Sequence, residues 1–467
     1  MIRLSRSPSL TRLGPGERYG LDVLIDQSHL LVVDDQDADV VTLDIVPSDA
    51  APDRARWAAG EWGYTISDGR VAVAPATIVH VTNVAGAVME LMSKAQDRHQ
   101  RPLASSNPLV QLGLERQPVV TQAAAALRAA VAQAAGRRPV RYLAPWPDGK
   151  RWAAAFTHDV DVVAGWPAFT ALRLVELLRK GELTRANRVL RAALSARRTN
   201  PAWQGMVDVL AAEREAGVVS TWFLLCGTPT FATMRAGDLT YSPDSLTVKR
   251  LLDALAAAGC EVGLHGSFAT YNNAEEFLQQ RRRLEALGGA AVGVRQHYLR
   301  MWPGKTQRAM RWAGFSYDAT YGFADRNGFR LGVADIVPAW DVSGLDEVPL
   351  IWMDRALSKY RGIEDPFVWV DDALELAAAA RAVDGLWVGL WHCNLTPPLG
   401  YPGAPEAYTR LLTEMTRQEP YIATLDRLVA WRRARRLVRA RSVAPDGRVE
   451  LTDSTVVLDQ KSVRNPS

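Results

Sequence analysis

The stretch RWAAAFTHDVD, residues 151–161, decides how the rest of the chain is interpreted. It begins with the apolar run WAAAF, which is typical of a fully buried strand. It ends in polar residues, among them His158, Asp159 and Asp161. Because side chains alternate between the two faces of a strand, both aspartates point one way and His158 points the other. Two carboxylates on one face repel each other, so the pattern favours a cation, a proton or an arginine beside them.

Length and composition indicate a globular protein with more than one domain. At 467 residues the chain exceeds what one hydrophobic core usually organises, and 48% hydrophobic with 23% charged residues is ordinary for a soluble protein. The net charge of +4 is small for this length and argues neither for nor against an anionic partner, and we expect no nucleic-acid partner. The three cysteines show no metal-ligand spacing. With no signal peptide and no apolar run of transmembrane length, we expect a cytoplasmic protein.

Strand-like and helix-like stretches alternate in the larger, C-terminal part of the chain. The strand candidates are 152–158, 218–226, 260–266, 291–299, 315–322, 346–353 and 386–393. Amphipathic helices are predicted at 203–215, 244–258, 274–287 and 371–383. Seven strands that alternate with helices imply a parallel sheet, either as a barrel or as an open doubly wound sheet.

The positions of the histidines favour the barrel over the open sheet. Four of the seven histidines lie at or near the carboxyl ends of strand candidates, where parallel α/β folds build their sites. They are His158, His265, His297 and His392. The charged residues at the same edge are Asp159, Asp161, Arg295, Arg300, Asp318 and Asp354. A barrel gathers all of them into one mouth, whereas an open sheet would spread them out.

The predicted domains follow from changes in composition. Residues 1–140 form a smaller α+β domain of unknown role, with short β-branched runs between 19 and 84 and alanine-rich helices at 85–97 and 120–135. The segment 136–150 mixes Pro, Gly and charge and is the predicted boundary. Residues 141–440 form the barrel, and 441–467 are a tail with a small hairpin.

The residue types at the predicted mouth indicate a chemistry. Carboxylates and imidazoles without cysteine suit a divalent metal such as zinc. A metal with open positions can lower the pKa of bound water and polarise a carbonyl oxygen. A neighbouring carboxylate then serves as the base and a histidine as the acid, which is the equipment for hydrolysing an amide or an ester.

Six stretches of the chain carry a resemblance to one family. They are THDVD (157–161), VVSTWFLL (218–225), EVGLHGS (261–267), GVRQHYLR (293–300), YDATYGFADRNGFRLG (317–332) and GLWH (389–392). In this order they resemble the motifs of the polysaccharide deacetylase family (the NodB-homology, carbohydrate esterase 4 group), and specifically a branch whose first motif is THDVD. The resemblance implies a distorted (β/α)7 barrel and the removal of an N-acetyl or O-acetyl group from a carbohydrate.

The resemblance also implies a role for each matching residue. Asp159 would be the general base, held by Arg295, and His392 the general acid. Asp161 and His265 would bind the metal, which we expect to be zinc. Leu390 would line the pocket for the acyl methyl group.

One departure from the family concerns the metal. The family places a second metal histidine four residues after the first, and this position is Ala269 here. Because His297 follows Arg295 by two residues, both should enter the same mouth, and His297 is our first candidate for the third ligand. An alternative role for His297 is a hydrogen bond to a sugar hydroxyl or to a carboxylate. Weaker ligand candidates are His158, Asn272 and Asn273.

Trp302, Trp391 and Asp318 are the remaining candidates for contact with a carbohydrate, through stacking or hydroxyl binding. A cytoplasmic location favours a lipid-linked or nucleotide-linked precursor as substrate. Two other functions stay open: a non-catalytic carbohydrate-binding protein on the same barrel, and a hydrolase of a non-sugar amide.

Overall fold

The structure is a computed structural model, and strands alternate with helices along most of it. It describes residues 1–5, 7–34, 39–45, 54–86, 107–138, 140–196, 199–235, 237–443, 449–452 and 458–459. The strands are β1 (Ile2–Leu4), β2 (Val41–Ile45), β3 (Tyr64–Ser67), β4 (Arg70–Val73), β5 (Tyr142–Leu143), β6 (Ala153–Val160), β7 (Ser220–Leu225), β8 (Glu261–Gly266), β9 (Gly293–Gln296), β10 (Tyr317–Asp318), β11 (Val337–Pro338), β12 (Asp346–Glu347), β13 (Trp352–Met353), β14 (Leu386–Leu390), β15 (Tyr421–Ile422), β16 (Ala440–Val443), β17 (Val449–Leu451) and β18 (Leu458–Asp459). The α-helices are Pro8–Thr11, Pro15–Gln27, Arg54–Ala58, Pro75–Ala85, Pro108–Gln111, Val119–Ala135, Trp166–Arg179, Leu183–Ser195, Pro201–Ala216, Phe231–Arg235, Leu246–Ala257, Ala274–Ala286, Lys305–Trp312, Pro366–Arg381, Ala404–Thr416 and Leu425–Leu437.

The central sheet has ten strands and is almost entirely parallel. Nine of them follow the order β11-β12-β10-β9-β8-β7-β6-β14-β13, and β15 also pairs with β6. Only the β11–β12 ladder is antiparallel. Helices connect β6 to β7, β7 to β8, β8 to β9, β9 to β10 and β13 to β14, whereas no helix lies between the parallel strands β10 and β12 in the described residues. The predicted α/β barrel class is therefore confirmed.

A single segment, residues 346–353, closes the curled sheet into a distorted barrel. Its first part, β12, pairs with β10, and the backbone N–H of Val348 donates to Asp318 O at 2.8 Å. Its second part, β13, pairs with β14, and Ile351 N–H donates to Val388 O at 3.1 Å. The segment thus joins the two sides of the sheet, although the sequence predicts it as one continuous strand.

The other predicted strands match observed ones, with shorter bounds except for β6, which runs two residues further than predicted, and two short strands were missed. All eight residues of β6 are buried, and β7 and β8 follow it in register. Strands β11 and β15 contain two residues each, which is too short to leave a periodic pattern. The four predicted barrel helices are all present, the last one beginning at Pro366.

Strand β6 separates two packing environments. Ala153 and Ala155 face the barrel interior, where they pack in one cluster with Phe223 and Leu390. Phe156, on the opposite face, belongs to the larger cluster between the sheet and the outer helices. Each large apolar side chain buried in such a core contributes about 1.5–3 kcal/mol of stability. The alternation also sends Asp159 inward and His158 outward.

The N-terminal part is an α+β unit, but it is less β-rich than predicted. The run 19–26 looks like a strand in the sequence, yet it belongs to the helix Pro15–Gln27, which begins with Pro at its first position and a Glu17 carboxylate that accepts from Gly14 N–H at 3.0 Å. Its sheet has the order β1-β2-β4-β3. The helix predicted at 120–135 is present, whereas the one at 85–97 lies almost entirely outside the described residues.

The N-terminal unit shares a core with the barrel. Barrel residues Met301, Tyr321, Leu331, Val333 and Val337 pack in the same cluster as N-terminal residues. Helix Leu425–Leu437 adds ion pairs across this junction, for example Arg436 with Asp26 at 2.9 Å. In the tail, β16 and β17 form an antiparallel hairpin and β18 pairs with β5; part of residues 441–467 lies outside the described residues.

Candidate active site

A cavity of about 360 Å³ lies at the carboxyl ends of the central strands. This volume is within the usual range for a small-molecule site. Its lining residues are Asp159, Asp161, Val162, Phe169, Gly237, Thr240, His265, His297, Tyr298, Leu299, Ala324, Met353, Arg355, Lys359, Tyr360, His392, Asn394 and Tyr401. The barrel thus gathers side chains from β6, β8 and β13 and from the connections that follow β6, β7, β9 and β14.

Asp161, His265 and His297 converge on one point of this cavity. The Nε2 atom of His265 lies 3.5 Å from Asp161 Oδ1, and the Nε2 atom of His297 lies 3.6 Å from the same oxygen. One potential ligand atom from each residue lies within 4.8 Å of the other two. The structure therefore brings the three predicted metal residues together, and His297 points towards Asp161 and His265.

Both histidine rings are fixed by hydrogen bonds at their other nitrogen. His265 Nδ1 donates to the carbonyl oxygen of Arg295 at 2.9 Å, and His297 Nδ1 lies 2.7 Å from Asp238 Oδ1. A carbonyl or carboxylate partner at Nδ1 selects the tautomer whose Nε2 lone pair is free, which is the usual arrangement of metal-binding histidines. Both Nε2 atoms face Asp161.

The electrostatics of the cluster fit a cation. The Oδ1 atom of Asp161 is buried and has no hydrogen-bond partner within the described residues. Burial opposes the charge on Asp161, but the rings of His265, His297 and His392 hold the pKa of this carboxyl far below its usual value. Burial likewise opposes a charge on His265, and Asp159 and then Asp161 raise its pKa. Two imidazoles and one carboxylate with an orphan oxygen are donors that suit a divalent metal such as zinc.

Asp159 lies beside this cluster and is bound by an arginine. Its Oδ1 atom accepts from Arg295 Nη1 at 3.0 Å, and its Oδ2 atom lies 3.6 Å from His265 Nε2. The guanidinium is fully buried; it also donates to Thr157 Oγ1 at 2.9 Å and to Ala319 O at 3.0 Å. A buried guanidinium at this distance fixes the orientation of the carboxylate.

His392 approaches from the other side of the cluster. Its Nε2 atom lies 3.7 Å from Asp161 Oδ2, and its Nδ1 atom lies 2.7 Å from Asp354 Oδ1. Asp354 is fully buried and also accepts from the backbone N–H of His392 at 2.5 Å. One carboxylate therefore holds both the ring and the backbone of this histidine.

The turn that carries His297 is strained. Residues His297–Leu299 form one 3-10 turn, in which Tyr298 has φ 60° and Leu299 has φ 51°. Left-handed backbone costs roughly 1–2 kcal/mol for each residue other than glycine. The Tyr298 ring stacks on the His297 ring at 4.0 Å, and its hydroxyl donates to Gly237 O at 2.8 Å. These contacts hold the turn in place.

His158 lies on the opposite face of β6 and is not part of the cavity. Its Nε2 atom lies 2.8 Å from Glu213 Oε1, and its Nδ1 atom lies 2.7 Å from the carbonyl oxygen of Trp391. The other two weaker ligand candidates, Asn272 and Asn273, have exposed positions, and Asn273 caps the helix Ala274–Ala286. None of the three lines the cavity.

Four predicted substrate-contact residues lie outside the cavity lining. Leu390 is 1% exposed and packs inside the barrel with the lining residues Leu299 and Met353. Trp391 falls on the outer face of the sheet, where its ring stacks with Trp352. Asp318 is fully buried and accepts from Thr320 N–H at 2.9 Å. Trp302 is 36% exposed with Lys305 over its ring. Strand alternation explains why Trp391 points away from the cavity. Burial of the strand end explains why Asp318 does not line it.

Sequence reasoning missed several lining residues that come from loops. Among them, Tyr298 and Arg355 directly follow residues that were predicted, and Asn394 and Tyr401 follow β14. Asp238, the hydrogen-bond partner of His297 in the connection after β7, was also missed, although it does not line the cavity. Arg355 donates to Tyr401 Oη at 2.5 Å and to Asn394 Oδ1 at 2.9 Å. Only their position in the chain could have indicated these residues, since each of these loops leaves the carboxyl end of a barrel strand, where such folds build their sites.

Comparisons with known proteins give a structural likeness only. No protein-family model and no curated protein matches the sequence. One similar solved structure is described as a polysaccharide deacetylase from Mycobacterium smegmatis, with 22% identity, a TM-score of 0.42 and coverage of 64% of this chain and 96% of that one. Another is Puue allantoinase, with 16% identity, a TM-score of 0.39 and coverage of 64% and 95%. A third is a CE4 family pseudoenzyme from Bacillus anthracis, with 12% identity, a TM-score of 0.32 and coverage of 64% and 70%. At TM-scores below 0.5 these likenesses carry no argument about activity.

Proposed function

We propose that the chain is a metal-dependent hydrolase that removes an acetyl group from an N-acetylated or O-acetylated carbohydrate. The observation that carries the proposal is the position of Asp159 and His392 on two sides of the Asp161–His265–His297 cluster. Asp159 Oδ2 lies 3.6 Å from His265 Nε2, and His392 Nε2 lies 3.7 Å from Asp161 Oδ2. A base and an acid that face one cation site are the groups that hydrolysis of an amide or ester needs.

The roles of the residues follow from their surroundings. Asp161, His265 and His297 would hold the metal, for which we propose zinc, and the bound metal would supply electrophilic polarisation of the substrate and of water. Asp159 would take the proton of the attacking water, since Arg295 orients its carboxylate beside the cluster. His392 would give a proton to the leaving nitrogen or oxygen from Nε2, while Asp354 holds its Nδ1.

The cavity lining supports a sugar as the substrate. Tyr298, Tyr401 and Asn394 offer hydroxyl and amide groups for sugar hydroxyls, and Met353 and Leu299 offer apolar contact. Two cations, Arg355 and Lys359, also line the cavity. Cations there suit a substrate that carries phosphate, such as a lipid-linked or nucleotide-linked sugar precursor.

Acetate release from the full-length protein tests the proposal. The protein is stripped with a chelator, reloaded with zinc, and offered N-acetylated oligosaccharides, a nucleotide-linked N-acetylated sugar, an O-acetylated polysaccharide and a set of non-sugar amides. We expect acetate from at least one carbohydrate, only after reloading. Turnover of a non-sugar amide alone would indicate a different hydrolase. Carbohydrate binding without turnover by the zinc-loaded protein would indicate a binding protein.

A further inference from the structure

Two helices between β6 and β7 are additional to the one that the crossover connection between these strands requires. The connection from β6 to β7 needs one helix, and Pro201–Ala216 fills that place with Met206 and Val209 in the main core. The helices Trp166–Arg179 and Leu183–Ser195 come before it and form a hairpin, which we call the 166–195 hairpin. Its small internal cluster consists of Leu177, Ala186 and Val189 with Leu174. The hairpin is therefore an addition above the carboxyl end of β6.

The 166–195 hairpin exposes an unusual amount of apolar surface. Seven of the eighteen large apolar side chains that are exposed among the described residues lie in these thirty positions. They are Phe169 (38%), Leu172 (68%), Val175 (45%), Leu178 (54%), Leu183 (67%), Leu190 (45%) and Leu194 (45%). Leu183, Leu190 and Leu194 share one face of their helix at the 3.6-residue period. Grouped apolar exposure of this kind marks an interaction surface.

The same surface is basic. The hairpin has six basic and two acidic residues, so its net charge is +4. Within the described part of the chain, Arg179, Arg188 and Arg191 are exposed and form no ion pair. Exposed leucines beside unpaired arginines are typical of amphipathic helices that lie in the interface of an anionic membrane. Long basic side chains can place their charge at the headgroups while their stems stay in apolar surroundings.

The hairpin also lies at the edge of the cavity. Phe169 lines the cavity and is partly exposed. Thr170 Oγ1 donates to Pro398 O at 2.8 Å, and Arg173 pairs with Glu364 at 3.4 Å, so the hairpin is fastened to the rim on the β14 side. A surface bound by the hairpin would therefore lie next to the entrance.

We propose that the 166–195 hairpin docks this protein onto the headgroup region of a bilayer that contains anionic lipid. A second copy of the chain is a poorer occupant, because a two-fold interface places the same patch against itself and would oppose two surfaces of charge +4. No helix among the described residues has the length and apolar character to span a bilayer, so the contact is interfacial. This docking does not depend on the proposed reaction.

Vesicle flotation with the full chain, without substrate or metal, tests the proposal. We expect binding to phosphatidylcholine vesicles that contain about 30% phosphatidylglycerol, little binding to pure phosphatidylcholine, and weaker binding at high salt. The triple variant L172Q/L183Q/L190Q and the double variant R188E/R191E should each bind at least about tenfold more weakly. Matched controls are L246Q/L437Q, at positions 75% and 77% exposed, and K249E/R250E, which should bind like the wild type.

Three results would overturn the proposal. They are no binding of the wild type to anionic vesicles, wild-type binding by both hairpin variants, and a wild-type dimer that the triple variant abolishes in the absence of vesicle binding. The last result would assign the hairpin to self-association. Circular dichroism melting curves of the variants, compared with that of the wild type, show that a loss of binding is not a loss of fold.

Discussion

Asp354 holds His392 at two points: its Oδ1 atom lies 2.7 Å from the ring Nδ1, and its Oδ2 atom accepts from the backbone N–H at 2.5 Å. The histidine therefore has one orientation, in which Nε2 faces the cavity. This is the nitrogen from which His392 would give a proton to the leaving group.

Asp354→Asn is expected to lower kcat by about 100-fold or more, since an amide can present its N–H₂ to Nδ1 and select the wrong tautomer. KM and zinc content should stay close to the wild-type values, because Asp354 contacts neither the cavity nor the metal residues. The rate of acetate release and the metal content are measured on the same preparation. A parallel loss of zinc would show that Asp354 supports the fold rather than the acid.

His297→Ala is expected to weaken zinc binding by more than about 100-fold, as His265→Ala should, because each removes one of three ligands. Asn272→Ala is the matched control, at an exposed position that lies outside the cavity lining. Zinc affinity is measured by competition with a chromogenic chelator. Unchanged affinity in His297→Ala would return His297 to the alternative role of a hydrogen-bonding residue.

Asp159→Asn is expected to reduce acetate release by about 10²–10⁴-fold while zinc stays bound, because the base and the metal ligand are different carboxylates. Asp161→Ala should lose both the metal and the activity. Metal analysis of the two variants, side by side, separates the roles. If Asp159→Asn lost the metal and Asp161→Ala kept it, the two aspartates would have been assigned the wrong way round.

Glu261 is expected to make stability depend on pH. It accepts from Tyr317 Oη at 2.6 Å and from Thr221 Oγ1 at 2.9 Å, and burial, followed by the charge of Asp426, raises its pKa from 4.5 to about 7. The folded state therefore binds a proton more tightly than the unfolded state. The stabilisation of the folded state that this tighter proton binding provides is complete below pH 4.5 and is lost as the pH rises to about 7.

Urea unfolding at pH 5 and pH 8 measures this effect. The free energy of unfolding of the wild type should fall by up to about 3 kcal/mol more than that of Glu261→Gln over this range. Glu275→Gln, at an exposed position, should follow the wild type. Equal pH dependence in Glu261→Gln and the wild type would mean that this carboxyl titrates at its ordinary pKa.

Much of the barrel could be predicted because its strands are short apolar runs bounded by glycine and charge. The segment 346–353 could not be divided in advance, since its apolar residues and Pro349 give no sign that β12 and β13 pair with opposite sides of the sheet. The helix Pro15–Gln27 was mistaken for a strand because YGLDVLID contains β-branched and aromatic residues. Tertiary packing and the proline at the first position of the helix make this stretch helical.

The strand-borne part of the site was accessible from the sequence for a geometric reason. Alternation places Asp159 and Asp161 on one face, and parallel strands bring His265 and His392 to the same edge. The same rule places Trp391 on the outer face of the sheet, so the sequence alone could have excluded Trp391 from the residues that contact the substrate. Asp238 could not be found, because it lies on a loop whose path has no period.

The left-handed turn at Tyr298 and Leu299 has a consequence for evolution and engineering. At buried Leu299 a glycine would lose more core packing than the strain it relieves, but Tyr298 is only partly buried, so random mutagenesis followed by selection for heat resistance should favour glycine at Tyr298. The change would also remove the contact between the Tyr298 ring and the His297 ring. His297 would then no longer be held with its Nε2 atom towards the metal site. Thermostability and metal affinity are therefore expected to be in conflict at Tyr298, and improved variants from such a selection should be screened for zinc before they are used.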